Sequence, residues 1–231
     1  TYVVWSWKES VTAGFDIVTY TGNGGTGASS QYVNHSLGVT PNMIITKVRS
    51  SGATYPDWYV YHSAVQSGNF AYYGLLNSTA AWSTGSSPYQ LWTANSSQIA
   101  FNTTANENGK NYVAYCFAAV AGYSAFGSYT GNGSTDGPFV YCGFRPRWIM
   151  VKRTDSAGLS WVILDTSRDT YNQMQTALFA NTNDADSSPY PTDVTANGFK
   201  IRGSGGGMNT SGGTYIYAVF AENPFKYSNA R

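Results

Sequence analysis

The sequence predicts an all-β chain made of two tandem antiparallel β-sandwich domains of jelly-roll type. The first observation is a repeat. Tyr20-Thr21-Gly22-Asn23-Gly24 returns as Tyr129-Thr130-Gly131-Asn132-Gly133, and Pro41 to Lys47 returns as Pro146 to Lys152. Ser86-Ser87-Pro88-Tyr89 returns as Ser187-Ser188-Pro189-Tyr190, and Thr93-Ala94-Asn95 as Thr195-Ala196-Asn197. Four blocks keep their order at offsets of 101 to 109 residues, a drift that short loop insertions explain. The second observation is composition. Charged residues make up 11% of the chain and aromatics 16%, led by tyrosine, which favours strands and tight turns over helices. The third is periodicity: no stretch holds an apolar period of 3.6, whereas several alternate with period two.

The elements follow in order. Residues 1–10 hold Tyr2-Val3-Val4-Trp5-Ser6-Trp7, which has the shape of a closing strand, as if the chain began inside a longer protein and this were the last strand of a preceding unit, or an added strand that closes the first sheet. The first repeat is expected over 11–119 and the second over 120–231. Phe15 to Tyr20 and Tyr123 to Tyr129 read as opening strands that end in a glycine turn. A polar stretch containing His35 to Pro41 separates the first of these from the next strand. Met43 to Val48 and Trp148 to Arg153 read as central strands. Asp57 to Tyr61 and Ser160 to Leu164 follow across Ser/Gly turns, as in a hairpin meander. Tyr72 to Leu76 and Gln98 to Asn102 are weaker strands. Tyr112 to Ala118 and Tyr215 to Ala221 close the two copies, seven or eight strands each. In the closing strands Val113, Tyr115 and Phe117 share a face, as do Ile216, Ala218 and Phe220, and that face is assigned to a core. Trp58 and Trp161 recur in both copies and are assigned to the core as well.

A net charge of +1 gives no attraction to nucleic acid or to an anionic membrane. No apolar run is long enough to span a bilayer. Cys116 and Cys142 each occur in one copy only, which leaves open a disulfide or two buried thiols. No four-ligand zinc set is present and no cofactor is expected. Asn181 to Asp186 alternates oxygen-bearing side chains as a calcium loop does, but lacks the glycine and distal glutamate of an EF-hand.

The Tyr-Thr-Gly-Asn-Gly turn, the His-Ser-Leu-Gly-Val-Thr-Pro segment before a strand ending in lysine, Trp58-Tyr59-Val60-Tyr61-His62 and the closing Asn111 to Ala118 together resemble a repeat of tail-fibre and host-adhesion proteins of tailed bacteriophages, marine ones in particular. The second copy departs from it at Gly143 to Pro146 and at Leu164-Asp165. The resemblance implies a virion-surface, extracellular module without catalytic residues. It also implies a homotrimeric fibre, with other fibre segments and a bacterial surface glycan or receptor as partners.

For the site, exposed aromatics outrank acids and histidines. A sugar ring stacks its C–H face on an aromatic ring while amides and carboxylates bond its hydroxyls. Trp82, Tyr89 and Trp92 lie in a polar segment of the first copy, and Tyr190 is the counterpart of Tyr89. These four are the expected ligand-binding residues. Trp82 and Trp92 lack an aromatic counterpart, so the shared core has no use for them. His62, Ser63 and Asp57 invite a hydrolytic triad, but alternation along a strand disperses them. Asp155, Asp165, Asp169, Asp184, Asp186 and Asp193 could furnish a glycosidase pair, though solvated loop acids are the ordinary reading. The expected function is non-enzymatic attachment. A structural spacer is the second reading and a polysaccharide-degrading domain the third.

Overall fold

The computed structural model describes residues 3–65, 72–83 and 91–223, with residues 91–93 described by their backbone alone. Tyr89 therefore lies outside the described residues. The first unit contains β1 (Phe15–Thr21), β2 (Gln31–Asn34), β3 (Met43–Val48), β4 (Trp58–His62), β5 (Gly74–Leu75), β6 (Leu91–Ala94), β7 (Gln98–Phe101) and β8 (Asn111–Phe117). The second contains β9 (Ser124–Thr130), β10 (Phe139–Tyr141), β11 (Pro146–Arg153), β12 (Val162–Asp165), β13 (Leu178–Phe179), β14 (Thr192–Thr195), β15 (Gly198–Ile201) and β16 (Thr214–Ala221). Among the described residues there is no α-helix, only four single-turn 3₁₀ segments.

The two units have one topology. A five-stranded sheet runs β1-β8-β3-β4-β5 in the first and β9-β16-β11-β12-β13 in the second. A three-stranded sheet runs β2-β7-β6 and β10-β15-β14. First strand pairs with last and second with penultimate, the nested pairing of a jelly roll, and every pairing is antiparallel. Each five-stranded sheet faces its own three-stranded sheet across a core. The first core is built on Val18, Ile44, Tyr61, Ile99, Phe101, Ala114 and Cys116. The second is built on Ile149, Leu164, Phe199, Ile201, Tyr215 and Val219.

The closing strands bury both faces, and the face that the sequence assigned to a core packs in a cluster other than these two. Tyr112, Ala114 and Cys116 face inward in the first unit, as Tyr215 and Val219 do in the second. The opposite set, Phe117 with Ile216, Ala218 and Phe220, joins Phe15, Met43, Val60, Trp148, Met150, Trp161 and Ile163 in a third cluster. That cluster lies between the units. The two five-stranded sheets pack back to back, so both their faces are covered and alternation alone does not say which face is which. Backbone and side-chain bonds cross the junction: Trp82 N–H donates to Thr154 O at 2.9 Å, Trp161 Nε1–H to Leu75 O at 2.8 Å and Gly158 N–H to Thr79 O at 2.9 Å. Trp58 is a second correction. It is half-buried at the margin of the junction face, stacked with Tyr115 at 6.4 Å and beneath the Lys47 ammonium at 5.8 Å, while its counterpart Trp161 is sealed by the other unit.

Residues 3–9 pair with no strand among the described residues. The period-two pattern is real but serves packing: Trp5 and Trp7 set their rings edge-on to Trp148 at 6.2 and 5.4 Å, and Trp7 also meets Phe220 at 5.4 Å. The arm thus closes one end of the junction. Cys116 is buried in the first core and Cys142 is half-buried beside the second; both are free thiols. Burial pushes the Cys142 thiol up to about 12 and Cys116 higher still, so neither is a ready nucleophile.

The repeated turn is a polar lock. Asn106 and Asn209, fully buried, precede β8 and β16. Asn106 Oδ1 accepts from Asn23 N–H at 2.9 Å and its amide donates to Asn23 Oδ1 and Gly25 O, both at 2.8 Å. Asn209 repeats this with Asn132 N–H at 2.8 Å, Asn132 Oδ1 at 3.1 Å and Ser134 O at 2.7 Å. Tyr20 stacks on Tyr112 at 5.1 Å and Tyr129 on Tyr215 at 5.0 Å, each pair closing over its lock. Gly22 and Gly131 have no room for a side chain, since a Cβ would stand 2.3 Å from a backbone oxygen.

Candidate functional site

The expected aromatic site is divided by the fold. Trp82 is 6% exposed, wedged against Trp161 at 6.2 Å with its ring over Gly74. It holds the junction and offers no open face to a sugar, which corrects the expectation of a solvent-facing ring. The inference from single occurrence failed for a physical reason. The junction is itself a single-copy structure, so an aromatic absent from the shared core can still be buried there. Trp82 does border a cleft of about 530 Å³ between the units, walled by Tyr72, Thr130, Asp155 and Thr214. Trp92 lies in β6 and its side chain is outside the described residues.

Tyr190 lies at an opening of the second unit. It is half-buried and lines a cleft of about 230 Å³ between Ser187–Pro191 and the Gly203–Met208 loop. Its ring meets Phe179 edge-on at 5.7 Å, and a Cβ on Gly207 would lie 3.2 Å from it. Glycine at 207 lets the backbone approach the ring and keeps the cleft open. The strand pairs β14–β15 and the bond from Arg202 N–H to Pro191 O at 2.8 Å fix the two walls. Ser187 and Ser188 supply hydroxyls at the rim.

The sequence reading missed a neighbouring feature. Tyr171 is 86% exposed, the most open large apolar side chain among the described residues, and it lines two further clefts. Its loop is pinned on both sides. Asp169 accepts from Gln175 N–H at 2.7 Å, Thr176 N–H at 2.6 Å and the Thr176 hydroxyl at 2.9 Å. The Asn172 side chain pairs with Val194 as a backbone would, donating to its carbonyl at 3.1 Å and accepting from its N–H at 2.8 Å. Arg168 donates to Asp165 at 2.7 Å and to Thr176 O at 3.0 Å. The signal was present: Thr166 to Gln175 holds one aromatic among Arg, Asp, Thr, Asn and Gln with no apolar neighbour before Met174.

The other candidates are occupied structurally. His62, 1% exposed, accepts from Ala64 N–H at Nδ1 and donates from Nε2 to Tyr217 O at 3.0 Å across the junction. Burial holds it neutral, with its pKa pushed down to about 4. Asp57 accepts from Asn77 and the Ser63 hydroxyl from Asn42, so the three residues form no triad. His35 bonds Asn95 O at 3.0 Å and accepts from Leu37 N–H. Among the second-unit carboxylates, Asp155 pairs with Arg153, Asp165 and Asp186 with Arg168, and Asp193 with Arg202. Bonds from Arg153 hold the Asp155 carboxyl down at about 2. Burial raises Asp169, but its bonds from Thr176 and Gln175 outweigh this and the net shift is downward. Neither suits a general acid, which needs a raised pKa. Asn181 spends its amide on Trp161 N–H and Ser160, and no cluster of three or more His, Cys, Asp or Glu among the described residues could hold a metal ion.

A family model described as Domain of unknown function (DUF7483) matches residues 1–224. The chain belongs to the DUF7483 family. The match takes in both β-sandwich units and the N-terminal arm together. No curated protein and no solved structure matches the chain. Among the described residues no helix is long and apolar enough to cross a membrane.

Proposed function

We propose that this DUF7483 chain is a non-enzymatic attachment module of a phage tail fibre or related virion appendage, displayed at the virion surface and binding glycan on a bacterial host. The observation that carries the glycan reading is the Tyr190 cleft, an aromatic ring held at a hydroxyl-rimmed opening on rigid strand ends. The place on a virion rests on the sequence resemblance, and so do the homotrimeric fibre and the neighbouring fibre segments. The absence of a catalytic role is supported by the engaged histidines and by the lowered pKa of Asp155 and Asp169.

A structural spacer without a ligand is the second reading, favoured by the back-to-back junction, which makes a stiff two-unit block. Retention of the labelled chain on an array of bacterial surface polysaccharides separates the two. Dose-dependent retention, competed by free glycan and weakened about tenfold by Tyr190→Ala, is the expected result. A folded chain that retains no glycan is a spacer.

A further inference from the structure

Three clefts of the second unit join into one surface. The first, bordered by Arg145, Thr166, Asn172 and Glu222, ends at Tyr171. The second starts on the other side of Tyr171 and passes Gln173, Gln175 and Thr176 to Ser188. Ser188 also belongs to the rim of the Tyr190 cleft. The surface thus carries two aromatic rings, Tyr171 and Tyr190, separated by amide and hydroxyl side chains.

Its charged side chains are already engaged by protein partners. Arg145 pairs with Glu222 at 2.8 Å, and Arg168 with Asp165 at 2.7 Å and Asp186 at 3.3 Å. The Asp169 carboxylate takes three protein donors. An anionic ligand would have to displace a carboxylate from its arginine, and a cationic one would find Asp169 filled. Uncharged hydroxyls meet no such competition at Thr170, Gln173, Gln175, Ser187 and Ser188. The pinned loop also matters. Tyr171 stands in solvent on a backbone fixed by Asp169 and Asn172, so docking a ring on it orders little that is not ordered already.

We infer that the second unit binds an uncharged polysaccharide along a track from Tyr171 to Tyr190, several sugar rings at a time. This rests on the glycan-binding reading above and adds the ligand's charge and length. The test is the full chain on an array of neutral and acidic bacterial surface polysaccharides, with fragments of the retained polymer from one to six rings as competitors. Neutral polymers are expected to be retained, little affected by salt. Tyr171→Ala should weaken retention about tenfold with thermal unfolding unchanged, because the ring is exposed. Competition should strengthen with each added ring over the first few. Retention confined to acidic glycans, retention unchanged by Tyr171→Ala, or a single sugar competing as well as the hexamer would each overturn the track while leaving glycan attachment standing. A folded chain that retains nothing overturns both.

Discussion

His62 shows how a single residue ties the units together and sets a pH limit on them. Its ring is shut into the junction and neutral, with a pKa pushed down to about 4 by burial. The unfolded chain takes up the proton near pH 6.5 and the folded one only near 4, so folding is opposed by protonation. Stability is therefore full above pH 6.5 and declines as pH falls towards 4, by up to about 3 kcal/mol. Chemical denaturation across this window should show the decline, and His62→Gln should flatten it. The carboxylates held low, such as Asp155 and Asp169, contribute a separate loss below that window. The buried lock asparagines are a second test at this scale. Asn209→Ala strands the Asn132 N–H and two carbonyls, and should cost about 3 kcal/mol in urea unfolding. Asn209→Asp, by contrast, keeps the acceptor and loses the donors.

At the scale of elements, the strands with strong alternation were legible and the short ones were not. β1, β3, β8, β9, β11 and β16 fall where β-branched and aromatic residues alternate. β2 and β14 escaped because each has only four, mostly polar residues, and β10 because three residues are too few to show a period; all are held in place by a partner strand. The lock was written in the chain as Asn-x-x-Gly-x-x-Tyr, at Asn106 to Tyr112 and again at Asn209 to Tyr215. Finding it required reading the turn with the strand far away in sequence that closes over it. Of the four expected binding residues, Tyr190 lines an open cleft and Trp82 is buried at the edge of another, because nothing in a single sequence marks a face that a second unit will cover. Phe220 is the element-level test of that face. It meets Trp7, Phe117, Tyr123, Phe126 and Trp148, and Phe220→Ala should cost about 3–5 kcal/mol.

At the scale of the molecule, two sandwiches share one apolar junction, so they are expected to unfold together. Calorimetry of the native chain should show a single transition whose calorimetric and van't Hoff enthalpies agree. Ala218→Asp, which buries an unpaired charge in the junction, should lower and split that transition as the units separate. Two independent transitions in the native chain would mean that the junction contributes little.

The back-to-back packing also bears on the history of the repeat. When a duplicated unit rests against its own twin, each copy becomes part of the other's environment, and the two are released to diverge in a correlated way. His62 opposite the Tyr217 backbone, Trp161 reaching Leu75 and Trp82 lodged on Trp161 are bonds made by one copy that the other does not reciprocate. The copies have ceased to be interchangeable parts. A chain assembled from two identical first units would set Trp58 where Trp161 now bonds Leu75 and packs on Trp82, and a second His62 where Asp165 now stands.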